Sequence, residues 1–124
     1  MNKLNIAIIA HDNKKADMVA FVMKRLDFFK QKNINLYATG TTGKHIKHSG
    51  LDVTCLQSGP MGGDAQIAAM IVNKEIDLVL FFIDPLFSHP HEVDIHMLMR
   101  LCNVYDVPLA TNYSTASRII KSYG

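Results

Sequence analysis

The chain has 124 residues, of which 48% are hydrophobic and 19% charged, with a formal net charge of +2. This is enough chain for one domain with a real core, too apolar a composition for disorder, and without the roughly 18-residue apolar run that a membrane span needs. Lys and Arg are spread along the chain with no aromatic–basic stripe, which argues against nucleic acid and leaves a small anionic ligand as the better partner.

The start, "MNKLNIAIIAHD", has one Lys and a short apolar run that ends at His11 and Asp12 with no small-residue cleavage site. Residues 4–10 therefore read as a buried first strand rather than a signal peptide. Residues 14–32 carry Val19, Val22, Leu26 and Phe29 at three- and four-residue spacing, the pattern of an amphipathic helix. A second strand is expected over 35–39, then a short helix over "TTGKHIKHSG" that ends at Gly50. A third strand is expected at 51–56 and a third helix at 64–73. "IDLVLFF" (76–82) has the clearest strand pattern. A helix over 93–105, a strand in "VPLAT" (107–111) and a last helix over 114–122, capped by Ser114 or Thr115, complete the chain. Cys55 and Cys102 sit in apolar stretches, "VTCL" and "MRLCNV", and read as two buried free thiols of a reducing cytoplasm.

Five β-then-α units with near-continuous apolar strands predict an α/β fold. They specify a single domain over 1–124 built on a doubly wound, five-stranded parallel sheet of Rossmann-like type. Such a sheet gathers every loop that follows a strand on one edge, where these folds bind ligands. The five loops here are "AHDNKK", "TGTTG", "SGPMGGD", "DPLFSHPHEVD" and "TNYST". Their wealth of Gly, His and Asp favours a site over a solvated rim.

"TGTTGK" (39–44) lacks the spacing of a nucleotide P-loop, having two residues between its glycines where four are needed. It still suits a single phosphate, with bared amides, the hydroxyls of Thr39, Thr41 and Thr42, and a helix start behind them. A plain Thr-capped turn fits about as well. "SGPMGGD" offers a second set of exposed amides and Ser58 at a helix start. Its Asp64 is either a helix cap or a general base held ionised by the helix N-terminus. His11, at the tip of a buried strand, needs a partner, whereas Lys15 on a first helical turn is ordinarily solvated. "DPLFSHPHEVD" holds Asp84, His89, His91 and Asp94. His89-Pro-His91 raises a metal site, but that spacing is weak and neither H-E-x-x-H nor a Cys pair accompanies it. His45, His48 and His96 fall in helical stretches and receive no role.

Taken together, "AHD", "YATGTTG", "SGPMGGD", "FFIDPL" with "PH" shortly after, and "PLATN" resemble the methylglyoxal synthase family, in order, from about Ile6 to the last helix. The resemblance implies a phosphate-eliminating lyase that converts dihydroxyacetone phosphate to methylglyoxal and inorganic phosphate without a cofactor or metal. It also implies a cytoplasmic homohexamer serving a glycolytic bypass. By the same resemblance the base is Asp64 and the catalytic histidine His91. The substrate-binding positions are His11, Lys15, Thr39, Gly40, Thr41, Thr42, Ser58 and Gly59, and Asp12, Asp84 and Asp94 are acidic positions lining the site. His89 matches no family role. Longer members carry a basic residue on a C-terminal tail that helps hold the phosphate. Here Arg118 or Lys121 takes that part, or the site works without it at equal or lower affinity. The rival expectation is a ligand-sensing domain for a phosphorylated small molecule, like the regulatory domain of carbamoyl-phosphate synthetase. Such a sensor has no need of both Asp64 and His91.

Overall fold

The computed structural model describes residues 3–86 and 92–124, with their side chains except those of residues 92–94. Strands β1 (Leu4–Ala10), β2 (Ile34–Thr39), β3 (Val53–Leu56), β4 (Leu78–Phe82) and β5 (Leu109–Ala110) make one sheet in the order β3-β2-β1-β4-β5. All four pairings are parallel. The chain winds outward from β1 to β3, then returns to β4 on the other side of β1, so the order reverses between β1 and β4. That reversal is where a doubly wound sheet leaves a crevice at its carboxyl edge.

Alternation along the strands creates two cores. Ile6, Ile8 and Leu80 face Met18, Phe21 and Val22 of α1 (Lys15–Lys24), Ile46 of α3 (Gly40–His48) and Ile120 of α6 (Tyr113–Ser122). Ala7, Ile9, Val79 and Phe81 face Ile67 and Ile71 of α4 (Gly63–Val72), and Leu98 and Cys102 of α5 (Glu92–Val104). Strands buried on both faces explain why β1 and β4 lack polar residues at alternate positions. At the amino edge, the Asn5 side chain donates to Glu75 O at 2.7 Å and accepts from Asn35 Nδ2 at 2.9 Å. This network closes the end of the sheet opposite the loops.

Four expectations are corrected. The helix expected over 14–32 is a 3-10 turn at Asp12–Lys14, then α1, then the short α2 (Leu26–Phe29). The break falls at Arg25 (φ −120°, ψ 33°), whose N–H donates to Val22 O at 3.0 Å in place of Phe21 O. The freed Phe21 carbonyl accepts instead from the Arg25 guanidinium at 3.2 Å. That guanidinium lies 4.0 Å from the Phe21 ring centroid and donates to Ser117 Oγ at 2.8 Å, joining the break to α6. The buried face of α1 accordingly runs through Met18, Phe21 and Val22, with Val19 only partly covered.

The second correction concerns Cys55, which is exposed because β3 is the last strand on its side of the sheet. Cys102 is buried as expected, and burial pushes its thiol up to about 11, so it is an inert core group. The third concerns α6, which is capped by Asn112, not by Ser114 or Thr115: Asn112 Oδ1 accepts from Thr115 N–H at 2.9 Å. Finally, β3, β4 and β5 are each shorter at the amino end than their apolar runs.

The start of α4 packs against the end of β3 with no room to spare. A Cβ on Gly63 would lie 2.1 Å from the Gln57 carbonyl oxygen, a backbone atom that cannot step aside. Gly50 has φ +98° and open space around it, so a side chain there meets only backbone strain. Urea unfolding should therefore show Gly63→Ala destabilised by about 3 kcal/mol through overpacking, and Gly50→Ala by roughly 1 kcal/mol through its left-handed backbone alone. Equal losses at the two positions would show that the close approach at Gly63 is relieved by movement of the chain.

Candidate active site

A cavity of about 320 Å³ opens above the carboxyl ends of β1, β2 and β3. This is at the small end of the roughly 300–1,000 Å³ typical of ligand sites. Strand β1 supplies its floor through Ile9 and Ala10, then His11 and Asp12, and Lys15 joins from the first turn of α1. Thr39 and Gly40 enter where β2 passes into α3, and Ser58, Gly59 and Pro60 from the loop after β3. Asp64, in the first turn of α4, completes the lining at 2% exposure. Eight expected site residues, brought by three of the expected loops, thus meet at one place.

His11 sits at the strand-order reversal. Its N–H extends the ladder to Phe82 O at 3.1 Å, and its ring lies edge-on to Phe81 with centroids 5.2 Å apart. The partner that a buried ring needs is the Asp84 backbone, whose N–H donates to His11 Nδ1 at 2.8 Å. Lys15 Nζ forms an ion pair with Asp12 Oδ1 at 2.9 Å, and the Asp12 side chain is 94% exposed. Exposed pairs of this kind contribute little to stability, so Asp12 keeps the ammonium at the rim without burying it.

Asp64 is not the helix cap. The N-cap of α4 is Gly62, in the left-handed region at φ 112°, and Asp64 is the second helical residue. Its carboxylate therefore lies over the positive end of the α4 dipole, which favours the charged form. Of the expected second set of amides, three are engaged within the loop. Met61 and Gly63 N–H donate to Ser58 O at 3.0 and 2.9 Å, and Gly62 N–H donates to Gly59 O at 3.1 Å. These three amides hold the loop's own 3-10 turn, Gly59–Met61.

At α3, Gly40 (φ +57°) donates its N–H to Gln57 O at 3.3 Å. The amides of Thr41 and Thr42 are first-turn donors without an intrahelical acceptor. Neither residue lines the cavity: Thr41 is exposed and Thr42 fully buried. Among the described residues, Thr42 Oγ1 has no hydrogen-bond partner.

The remaining positions lie elsewhere. Asp84 is 7% exposed and, instead of lining the cavity, accepts from Asn13 Nδ2 at 2.9 Å and from Leu86 N–H at 3.0 Å. His89 and His91 lie outside the described residues, as does the side chain of Asp94, although Asp94 belongs to the first turn of α5. Arg118 and Lys121 border a separate surface groove on α6 with Tyr113 and Ser117. Among the described residues no three His, Cys, Asp or Glu stand together as a metal would require, and no helix is long and apolar enough to cross a membrane. Sequence reasoning missed Asn13 and Pro60. An Asn in a polar loop carries no signal of a partner 71 positions away.

Comparison with known proteins agrees with this geometry. Residues 13–111 match the family model of the MGS-like domain. The methylglyoxal synthase of Geobacillus sp. (strain WCH70) is 55% identical over 95% of this chain and 84% of its own length. That of Acholeplasma laidlawii is 52% identical over 95% of this chain and 96% of its own. The crystal structure of methylglyoxal synthase from Elizabethkingia anophelis NUHP1 superposes with a TM-score of 0.87 at 43% identity, covering 95% of this chain and 77% of that one. A doubly wound sheet, a carboxyl-edge cavity holding a buried aspartate, and near-full-length similarity together lead to one conclusion: the chain belongs to the methylglyoxal synthase family.

Proposed function

We propose that the chain is a lyase that converts dihydroxyacetone phosphate to methylglyoxal and inorganic phosphate, with Asp64 as the base. The observation that carries this reading is a carboxylate at 2% exposure inside a small cavity otherwise rich in hydroxyl, amide and ammonium donors. Asp64 takes a proton from the hydroxymethyl carbon, whose electron pair moves into the new C–C double bond as the carbonyl oxygen becomes anionic. A carboxylate is a weak base for such a carbon acid, so donation to that oxygen must supply much of the barrier reduction. His91 has this role by likeness to the family, moving a proton between the two oxygens of the enediolate. The enediolate then expels phosphate from the neighbouring carbon. The enol left behind takes a proton at its terminal carbon to give methylglyoxal.

Lys15, Thr39 and Ser58 hold the phosphate, with the first-turn amides of α3 directed at it. Thr42 belongs to the same group by likeness to the family: its hydroxyl is buried behind the cavity wall without a hydrogen-bond partner among the described residues, a cost that an anion at the helix start would relieve. For phosphate to leave, its C–O bond must stand out of the enediolate plane, aligned with the π system. Assembly as a homohexamer and a cytoplasmic location belong to the same proposal.

Purified protein incubated with dihydroxyacetone phosphate and a chelator should release methylglyoxal and phosphate in equal amounts. Binding without turnover would make it a sensor. Dihydroxyacetone in place of methylglyoxal, lost on chelation, would make it a metal-dependent hydrolase acting through His89 and His91. Inorganic phosphate at millimolar levels should compete with substrate and bind by calorimetry. Unaltered kinetics and no heat would remove the phosphate from the α3 start.

His91→Gln should lower kcat strongly and leave KM within a few-fold, because the ring contributes most as charge develops on oxygen. Normal turnover with poor binding would reduce His91 to a positioning role.

Asp64→Asn tests the base directly. Asn keeps the size of the side chain and cannot accept the carbon-bound proton. The loss should lie at or beyond the upper end of the roughly 10²–10⁴-fold typical of general bases. Binding should persist or tighten, as one negative charge beside a dianionic ligand is gone. Exchange of the hydroxymethyl proton with deuterated water should vanish in the same variant. Exchange at the normal rate would move the base to Asp12, Asp84 or Asp94.

A further inference from the structure

The loops that follow β1 and β4 are fastened together by a chain of hydrogen bonds that ends on the His11 ring. Asn13 Nδ2 donates to Asp84 Oδ2 at 2.9 Å, and Asp84 Oδ1 accepts from Leu86 N–H at 3.0 Å. The Asp84 carboxylate is thereby held from both sides, once by the β1 loop and once by its own turn. The same residue's backbone N–H donates to His11 Nδ1 at 2.8 Å. A backbone amide can only donate. Nδ1 must therefore keep its lone pair, and in the neutral ring the proton resides on Nε2.

From this arrangement we infer that Asn13 is a positioning residue that, through Asp84, locks His11 as the neutral Nε2–H tautomer. Protonating Nδ1 would set two N–H groups against each other at a buried contact, so the imidazolium form is opposed by geometry. The consequence for chemistry is a division of labour. With its proton on Nε2, His11 is an obligate donor at that nitrogen and, while it lines the cavity, cannot serve as a base through it. Nε2 itself is buried, so a ligand oxygen meets this neutral donor only where it reaches past the cavity wall that His11 helps to form. Edge-on contact with Phe81 restricts the ring's rotation and supports the same orientation. Among the described residues the acidic and basic side chains that line the cavity with it are Asp12, Lys15 and Asp64, and the Asp84 amide donates to Nδ1 in a direction that does not change with their ionisation.

The role in turnover rests on the lyase reading above, whereas the tautomer does not, and the two are tested separately. Long-range proton–nitrogen correlation spectra of the ligand-free protein, with His11 assigned by loss of its signals in His11→Gln, should show one species protonated at Nε2. Asn13→Ala should give mixed or exchange-broadened His11 signals. Its kcat should fall on the order of tenfold, the scale of a lost hydrogen bond to a charged group, while KM stays within about twofold. Asn13→Gln, which restores an amide donor, should recover the single tautomer and most of kcat. A proton on Nδ1 in the unmodified protein overturns the inference. So does an Asn13→Ala protein with an unchanged Nε2–H signal and unchanged kcat. If the protein proves to release no methylglyoxal, the lyase reading falls alone and the spectra still decide the tautomer.

Discussion

Because every strand of the sheet runs the same way, all the loops that follow strands are delivered to one edge, whatever their sequences. The rest of the site follows from that constraint. Parallel strands need helical crossovers, the crossovers bury both faces, and only the carboxyl edge is left to be polar. The order β3-β2-β1-β4-β5 then adds a place where neighbouring loops turn away from each other. His11 stands there, fixed from the β4 side through Phe82 O and the Asp84 amide. The cavity spreads from it toward β2 and β3. The site is thus a property of topology first and of residue identity second, which is why a fold of this kind can host catalysis or mere binding.

Within the edge, the residues that follow β3 tie the helix starts together. The Gln57 carbonyl accepts from Gly40 at the head of α3, and its N–H donates to Gln66 Oε1 of α4 at 2.9 Å. Next to it, Ser58 O receives the Gly63 amide. The glycines of "SGPMGGD" serve this meeting of backbones. Gly62 provides the left-handed turn, and Gly63 lets α4 come within contact of β3, which brings Asp64 into the cavity. Three of the loop's amides, those of Met61, Gly62 and Gly63, are used in making its shape.

The sequence was most legible where burial is two-sided. β1 and β4 show it as unbroken apolar runs, and from them the parallel sheet and its polar edge follow. It was least legible where side chains act on backbone. Nothing in a helical period reveals that Arg25 will take its own Phe21 carbonyl and break the helix, or that Asn112 will outcompete Ser114 as a cap. The exposure of Cys55 is not legible either, because apolar neighbours do not disclose whether a strand is internal or at an edge. The candidate site residues follow from the polar loops of the carboxyl edge and from family motifs. Those motifs carry positions but not contacts, so the different environments of Asp12, exposed and paired with Lys15, and Asp84, buried between two loops, could not be read from them.

The charge balance of the cavity bears on how a dianion can both bind and leave. Asp12 and Asp64 outnumber Lys15 among the charged residues that line it, so net charge does not draw the ligand in. Attraction must come from directed donors: helix-start amides, hydroxyls and the His11 ring, which act at hydrogen-bond distance and fall off steeply beyond it. Such a site discriminates by fit more than by field. On the proposed reading it also limits how tightly phosphate is held once its bond to carbon is broken, because among the described residues no cluster of cations lines the cavity to retain it. A neutral His11 is consistent with this economy. An imidazolium in its place would tighten the grip on the departing phosphate and would stabilise the Asp64 carboxylate, making it a poorer base. On the proposed reading, holding the ring neutral leaves Asp64 the stronger base and lets the phosphate product dissociate more readily.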